Sequence, residues 1–346
     1  MPALREVLYS GQISEGPGVK AFEAAFGEFV GVPHVSACSS GTAALHLALL
    51  VAGVGAGDVV STAMTAEPTN MAIRHAGASV RWADVDPANG NVTGASVAAA
   101  MTERTKAIMV VHYGGVPVPI DDVLDVARDH GVPVVEDAAH ALGARYAGRP
   151  IGTHSRFVVF SLQAIKHMTT VDGGVLSCQD PADLRDARLL RWFGIDREVP
   201  RTEVDVNRVG FKYHMNDVTA TIGSTALGHV RPAIDRHIAN GRYFDTALAG
   251  VDGIEVCRWP EPAEPSYWFY TALVERREDF VAALGARGIA AGTVHRRNDL
   301  HSVFADSAVS LPGLDAFAER YVHLPCGWWV DDAARERIID AVAAGW

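Results

Sequence analysis

The 346-residue sequence holds no run of five or more basic residues and carries a formal net charge of -11, so it lacks the electrostatic footprint with which a chain grips a nucleic-acid backbone. DNA and RNA are not expected partners. Its four cysteines, Cys38, Cys178, Cys257 and Cys326, are widely scattered, with no C-x-x-C pair and no clustered Cys/His spacing. A structural zinc site is therefore not indicated, and free thiols in a reducing compartment fit best. Long apolar runs are missing as well: the most apolar stretch, residues 43–60, is interrupted by His46, three glycines and Asp58, too broken for a membrane span. The opening MPALREVLYSGQISEG shows no basic segment followed by an apolar core, so no secretion signal is read there and a cytoplasmic protein is expected. Also absent are G-x-x-x-x-G-K-[ST], G-x-S-x-G, internal repeats and low-complexity tracts.

What is present is an ordinary globular composition, 49% hydrophobic and 21% charged, with enough length for a large domain and a smaller one. From about residue 35 to 180, short apolar runs alternate with amphipathic helical stretches, the pattern of a parallel sheet covered by helices. Strands are expected at 59–63, 79–83, 107–111, 132–136, 157–161 and 174–178, and helices at 41–52, 68–75, 121–130 and 181–191. One long helical stretch is expected at 216–248, followed by a strand at 268–274 and helices near 277–286 and 331–344. The fold class is thus α/β: a large, mostly parallel-sheet domain with helices on both faces over residues 1–230, and a smaller α+β domain over residues 231–346.

Three segments carry candidate chemistry. In SSGTAALHLAL, Ser39 to Leu49, a polar turn stands directly before an apolar-periodic helix. Such a turn offers free backbone N–H groups and hydroxyls to an anion, or else Ser39 or Ser40 simply caps a core helix. In VPVVEDAAHALGA a buried strand ends at Glu136-Asp137, and a carboxylate at that edge can reach a ligand or serve as a turn residue. Beside a pyridine nitrogen, Asp137 would keep the nitrogen protonated, so that the ring draws electrons from a substrate carbon. In FSLQAIKHMTTVDGGVL the strand ends at Ser161 and Lys166 follows in a polar, glycine-bounded loop. An amine there is either solvated or, in apolar surroundings, a nucleophile able to form a Schiff base. The glycines 53, 55 and 57 follow a helix and precede a strand, the reverse of the order a dinucleotide site needs.

Taken in order, the S-G-T turn, E-D-A-A-H-A and S-x(4)-K followed by T-T-x-x-G-G resemble the DegT/DnrJ/EryC1/StrS family of sugar aminotransferases. The resemblance extends through ISEGPGVKAFEAAFGEFVG, GFKYHMNDVTATIG and LPCGWW, nearly the whole chain. It implies the type I aminotransferase fold, dependence on pyridoxal 5'-phosphate (PLP), and a homodimer whose active sites are shared between subunits. It assigns Lys166 as the Schiff-base lysine, Asp137 as partner of the pyridine nitrogen, and His140 to the position near the ring's phenolic oxygen. Gly41, Thr42 and Ser161 match the phosphate contacts, and Lys212 the residue that reaches the neighbouring subunit's phosphate. An exposed lysine without such a role is the alternative for Lys212.

Two departures stand out. Ala66 occupies a position where the family commonly has a ring-stacking aromatic, and Glu67 and Pro68 replace small or aliphatic residues. Glu67 either contacts substrate or is solvated. In VHRRNDLHSVF, His295, Arg296, Asn298 and His301 form a denser polar cluster than relatives carry, suited to sugar hydroxyls or a diphosphate and equally to a solvated loop. Trp328 and Trp329 are expected in core packing rather than at a substrate mouth.

By this resemblance the enzyme takes an amino group from an amino acid, glutamate, and gives it to a keto sugar on a nucleotide carrier, with Lys166 moving the proton between carbons. The alternatives are a cyclitol ketone as acceptor, a sugar dehydratase, whose relatives carry histidine in place of Lys166, and a non-catalytic PLP-binding regulator.

Overall fold

The computed structural model describes residues 2–346. Two helices, α1 (Pro2–Tyr9) and α2 (Pro17–Val30), precede the sheet. Helix α2, not among the expected elements, follows from its sequence: Pro17 presets the first turn, Val19, Phe22, Phe26 and Val30 make one buried face, and Gly31 closes it at φ 78°. Its N-terminus is capped from far along the chain, where the Asp217 carboxylate accepts the N–H groups of Gly16, Gly18 and Val19 at 2.8, 3.1 and 2.9 Å.

There follow β1 (Val35–Cys38), α3 (Gly41–Val51), β2 (Asp58–Thr62), α4 (Glu67–His75), β3 (Ser79–Ala83), α5 (Gly94–Ala100) and β4 (Thr105–Val111). Next come α6 (Ile120–His130), β5 (Val134–Asp137), the short β6 (Arg145–Tyr146) and β7 (Arg149–Pro150), β8 (Phe157–Ser161), β9 (Gly174–Cys178) and α7 (Pro181–Leu190). Seven strands form one sheet in the order β1-β9-β8-β5-β4-β2-β3. The pairs from β3 through β8 are parallel, whereas β9 runs antiparallel to β1 and β8. Strands buried on both faces read as continuous apolar runs, which is why VVED and FVVFS were legible. Strands β3, β8 and β9 span the expected residues, and β2, β4 and β5 differ by one or two at an end. Strand β1 was not expected. Its four residues show no period of their own, and its place comes from its ladder with β9.

The expected helix over 216–248 is two helices, α8 (Asp217–Leu227) and α9 (Val230–Ala247). The break falls at Gly228-His229 because Pro232 has no N–H to give the Gly228 carbonyl four residues back. The chain then forms β10 (Ile254–Val256), β11 (Ala263–Glu264), β12 (Tyr270–Val274), α10 (Arg277–Ala286), α11 (Pro312–Arg320), β13 (Tyr321–Leu324) and α12 (Asp332–Ala343). A second antiparallel sheet runs β10-β12-β13, and a third, β11-β6-β7, ties this part to the first. The second sheet carries its own core, in which Phe244, Leu248, Tyr270, Phe280 and Val322 are buried together. Helix α9 serves both cores, giving Val230 and Ile234 to the first and Phe244 to the second. No helix of the described residues is long and apolar enough to cross a membrane.

Trp328 and Trp329 are not in either core. They are 61% and 60% exposed in the turn between β13 and α12, because that turn lies outside both sheets and offers no second layer to receive them.

Candidate active site

The strand order places the C-terminal ends of β5 and β8 side by side, and α3 crosses over β9, β8 and β5 to bring its N-terminus to the same edge. Ser40 caps α3, its hydroxyl accepting the Ala43 N–H at 3.0 Å. The cap leaves the Gly41 and Thr42 N–H groups with no partner among the described residues, so a capped turn still has two donors to offer an anion. The turn sits hard against β8 and β9. A Cβ on Gly41 would lie 3.1 Å from the Ser161 Cβ, and one on Gly174 would lie 2.5 Å from the Gly41 nitrogen. Glycine is required at position 174 for the backbones to approach, and Gly41 lies against Ser161.

Asp137 ends β5, buried. Its Oδ2 accepts the Thr69 hydroxyl at 2.7 Å and its Oδ1 the Ala139 N–H at 3.0 Å. Burial pushes this carboxyl above its usual range, opposed by those two hydrogen bonds and by the charge of Lys166. Lys166 rises from the loop after β8, which closes on itself through Thr170 N–H to Leu162 O at 2.9 Å and Leu162 N–H to Gly173 O at 2.8 Å. Burial lowers the Lys166 amine to about 8, with Asp137 pulling the other way. The charge of each group acts on the other.

Three residues after Asp137, His140 is buried with no partner for Nδ1 among the described residues. Burial, and then the charges of Lys166 and His295, hold it well below the usual imidazole range. His140 stacks on Trp268 with centroids 3.9 Å apart at 18°, and His295 lies parallel to it at 5.7 Å and 6°. His295 is lowered to about 4 by burial and by Lys166, with Glu67 opposing. One more buried chain borders the site: Tyr113 Oη to His323 Nε2 at 2.9 Å, and His323 Nδ1 to Thr271 Oγ1 at 3.2 Å.

Lys212 does not join this cluster. It is exposed, bridged through its backbone to Trp192, and its amine makes no hydrogen bond or ion pair among the described residues. The polar loop between α10 and α11 divides by burial. Asn298 is fully buried, donating to Thr65 O at 2.7 Å and accepting from Asn70 Nδ2 at 2.9 Å. His301 faces Glu67 at 3.3 Å, and Arg296 is exposed. Asn298 is therefore a bracket between loops, while His295, His301 and Glu67 are half-buried.

The sequence did not point to Thr69, Trp268 or Asn70. Thr69 lies in the first turn of α4, in a stretch whose sequence departs from the family at Ala66, and Trp268 is expected inside a strand. That strand begins only at Tyr270, because Tyr267 adopts φ 49° and turns Trp268 out of the ladder.

A family model described as the DegT/DnrJ/EryC1/StrS aminotransferase family matches residues 1–343. Among solved structures, the sugar aminotransferase CalS13 from Micromonospora echinospora is 40% identical, with a TM-score of 0.96 over 100% of this chain and 96% of that one. AtS13 from Actinomadura melliaura is 39% identical, with a TM-score of 0.96 over 100% and 95%. DesV of S. venezuelae, solved with a ketimine intermediate, is 31% identical, with a TM-score of 0.93 over 99% and 93%.

Proposed function

Since the chain belongs to the DegT/DnrJ/EryC1/StrS aminotransferase family and is a PLP-dependent transferase of the type I fold, we propose that it moves an amino group from glutamate to a keto sugar carried on a nucleotide. The similarity to CalS13, named a sugar aminotransferase, supports a sugar acceptor. The observation that carries the reading is the pairing of an amine lowered to about 8, Lys166, with the buried carboxylate Asp137 at one sheet edge.

The residues suit the cofactor. Gly41 and Thr42 N–H with the Ser161 hydroxyl would hold its phosphate, Asp137 its ring nitrogen, and the unpartnered His140 Nδ1 lies ready for a ring substituent. When bound, PLP supplies an electron sink for the substrate carbanion. Asp137, kept in orientation by Thr69 and Ala139, holds the proton on the ring nitrogen. Lys166 would hold the cofactor covalently and, when free, would carry a proton between carbon atoms, a task that suits an amine lowered to about 8. The working unit is the homodimer with shared sites that the family resemblance implies, in which the exposed Lys212 reaches the second copy's phosphate. Residues 1–230 form the cofactor-binding domain and 231–346 the smaller one, and the enzyme works in the cytoplasm.

The test is to add glutamate to the purified holoenzyme, follow the visible cofactor band, and then add a nucleotide-linked keto sugar and weigh the product. Bleaching by glutamate and a product carrying the amine are expected. No spectral change with any amino donor overturns the transaminase, and a product that has lost water without gaining nitrogen replaces it with a dehydratase.

A further inference from the structure

Lys166 Nζ lies 4.0 Å from the centroid of the Trp268 ring. The same indole stacks on His140 at 3.9 Å and donates its Nε1–H to Ile165 O, the carbonyl just before the lysine, at 2.9 Å. One side chain therefore touches the amine, the loop that carries it and the neighbouring imidazole.

The backbone around Trp268 is held with unusual thoroughness. Trp268 N–H donates to Gly114 O at 2.9 Å and Ser266 N–H to Gly115 O at 3.0 Å. The Ser266 and Tyr267 carbonyls accept from His167 Nε2 at 3.1 Å and His237 Nδ1 at 2.8 Å. Tyr267 between them is left-handed at φ 49°, a conformation that persists in a non-glycine residue only when its surroundings enforce it. The opposing backbone is equally specialised: a Cβ on Gly115 would fall 2.7 Å from His140 O, 2.8 Å from Ser266 Oγ and 3.0 Å from Trp268 N. This construction turns Trp268 out of β12 and onto the lysine loop.

We propose that Trp268 is a positioning residue for transamination, its indole face receiving the Lys166 ammonium whenever the lysine is not bonded to the cofactor. The face of an indole attracts an ammonium in a desolvated site, and the Nε1 bond to Ile165 fixes the distance. A parked lysine stays beside His140 instead of swinging into solvent past the exposed Ile165 side chain. The proposal rests on Lys166 being the cofactor lysine. It gives the site an aromatic partner contributed by the 266–269 segment, in a chain where Ala66 leaves the β2–α4 loop without one.

The chain's lysines are Lys20, Lys106, Lys166 and Lys212, so protein labelled with 13C at the lysine ε-carbons gives a spectrum simple enough to assign. In the pyridoxamine form of the unsubstituted enzyme, where the lysine is free, the Lys166 ε-protons are expected upfield, displaced by the indole ring current. Trp268→Leu should abolish the displacement and slow both half-reactions about tenfold, while Trp268→Phe should keep a smaller displacement and most of the rate. Lys166 ε-protons at the position of the exposed lysines in the unsubstituted enzyme overturn the proposal, with no variant needing to fold. Borohydride reduction of the PLP form separates this outcome from failure of the underlying assignment: a cofactor mass fixed on Lys166 keeps it as the cofactor lysine, and a mass fixed elsewhere removes the basis of both.

Discussion

The hydroxyl of Thr69 donates to Asp137 Oδ2 at 2.7 Å, with both side chains buried. Thr65 Oγ1 lies 2.9 Å from the same hydroxyl, so the loop around Ala66 and the first turn of α4 together reach Asp137. Thr69→Val removes a hydrogen bond to a charged group, which is worth about 1.5–3 kcal/mol. Asp137, already raised by burial, is then raised further and holds its negative charge less well. Turnover with saturating cofactor should fall roughly 10- to 100-fold, with Thr69→Ser close to the parent, as measured by single-turnover bleaching of the visible band with glutamate. Equal rates for Thr69→Val and the parent would remove Thr69 from the site.

Lys166 gives a pH dependence with a definite sign. Its amine is lowered to about 8 because burial penalises the ammonium, and only the neutral amine attacks an aldehyde. Reconstitution of apoenzyme with PLP should therefore accelerate about tenfold per pH unit below about 8 and level off above it. Stopped-flow absorbance reads the rate, and Lys166→Ala should give no covalent adduct at any pH. A profile still rising steeply at pH 10 would place the lysine in water, contrary to its burial.

Much of this was legible because it is local. A buried parallel strand is a continuous apolar run, so β5 and β8 mark where Asp137 and Ser161 emerge, and the polar turn before α3 marks where the unpartnered Gly41 and Thr42 N–H groups stand. The contacts made by residues distant in sequence were not legible. Trp268 looks like the first residue of a strand until Gly114, Gly115, His167 and His237 are seen to hold its backbone away from the ladder. Strand β1 has no periodic signature in four residues and exists through β9. The 295–301 loop read as a uniform polar cluster, since nothing in VHRRNDLHSVF distinguishes a buried bracket such as Asn298 from the exposed Arg296.

Beneath the site, His112 Nε2 donates to Glu136 Oε2 at 2.8 Å with both side chains fully buried. Val118 N–H donates to His112 Nδ1 at 3.1 Å, so the proton sits on Nε2, and Ser155 N–H satisfies the other carboxylate oxygen at 2.8 Å. Burial alone would raise Glu136, but the hydrogen bond from His112, together with Ser155, holds it below its usual range. A carboxyl depressed on folding stabilises the fold above its unfolded value, and that contribution is lost as pH falls through the lower folded value. His112→Ala should cost about 1.5–3 kcal/mol by removing a hydrogen bond to a buried carboxylate. Chemical denaturation of the holoenzyme at neutral pH measures it, and the difference from the parent should shrink as the pH drops below the carboxylate range.

The polar loop allows a sharper separation of structure from substrate contact. Asn298 joins three carbonyl or amide partners: its backbone N–H donates to Ala63 O at 2.9 Å, Nδ2 donates to Thr65 O at 2.7 Å, and Oδ1 accepts from Asn70 Nδ2 at 2.9 Å. Asn70 is bound in turn to Ser61 Oγ at 2.7 Å and Thr62 O at 3.0 Å, so the bracket reaches β2. Asn298→Ala strands the Thr65 carbonyl and the Asn70 amide in a buried place, each costing about 1–3 kcal/mol. It should lower the melting temperature and, through Thr65 and Thr69, also slow the half-reaction with glutamate. Arg296 is exposed and makes one side-chain bond, to Leu300 O at 3.3 Å. Arg296→Ala should leave the melting temperature and the glutamate half-reaction unchanged, and if its guanidinium meets the acceptor it should raise KM for the nucleotide-linked sugar alone. The two variants thus split cleanly between stability with the donor half-reaction and acceptor KM. An Asn298→Ala protein as stable as the parent would mean that the loop is held from elsewhere.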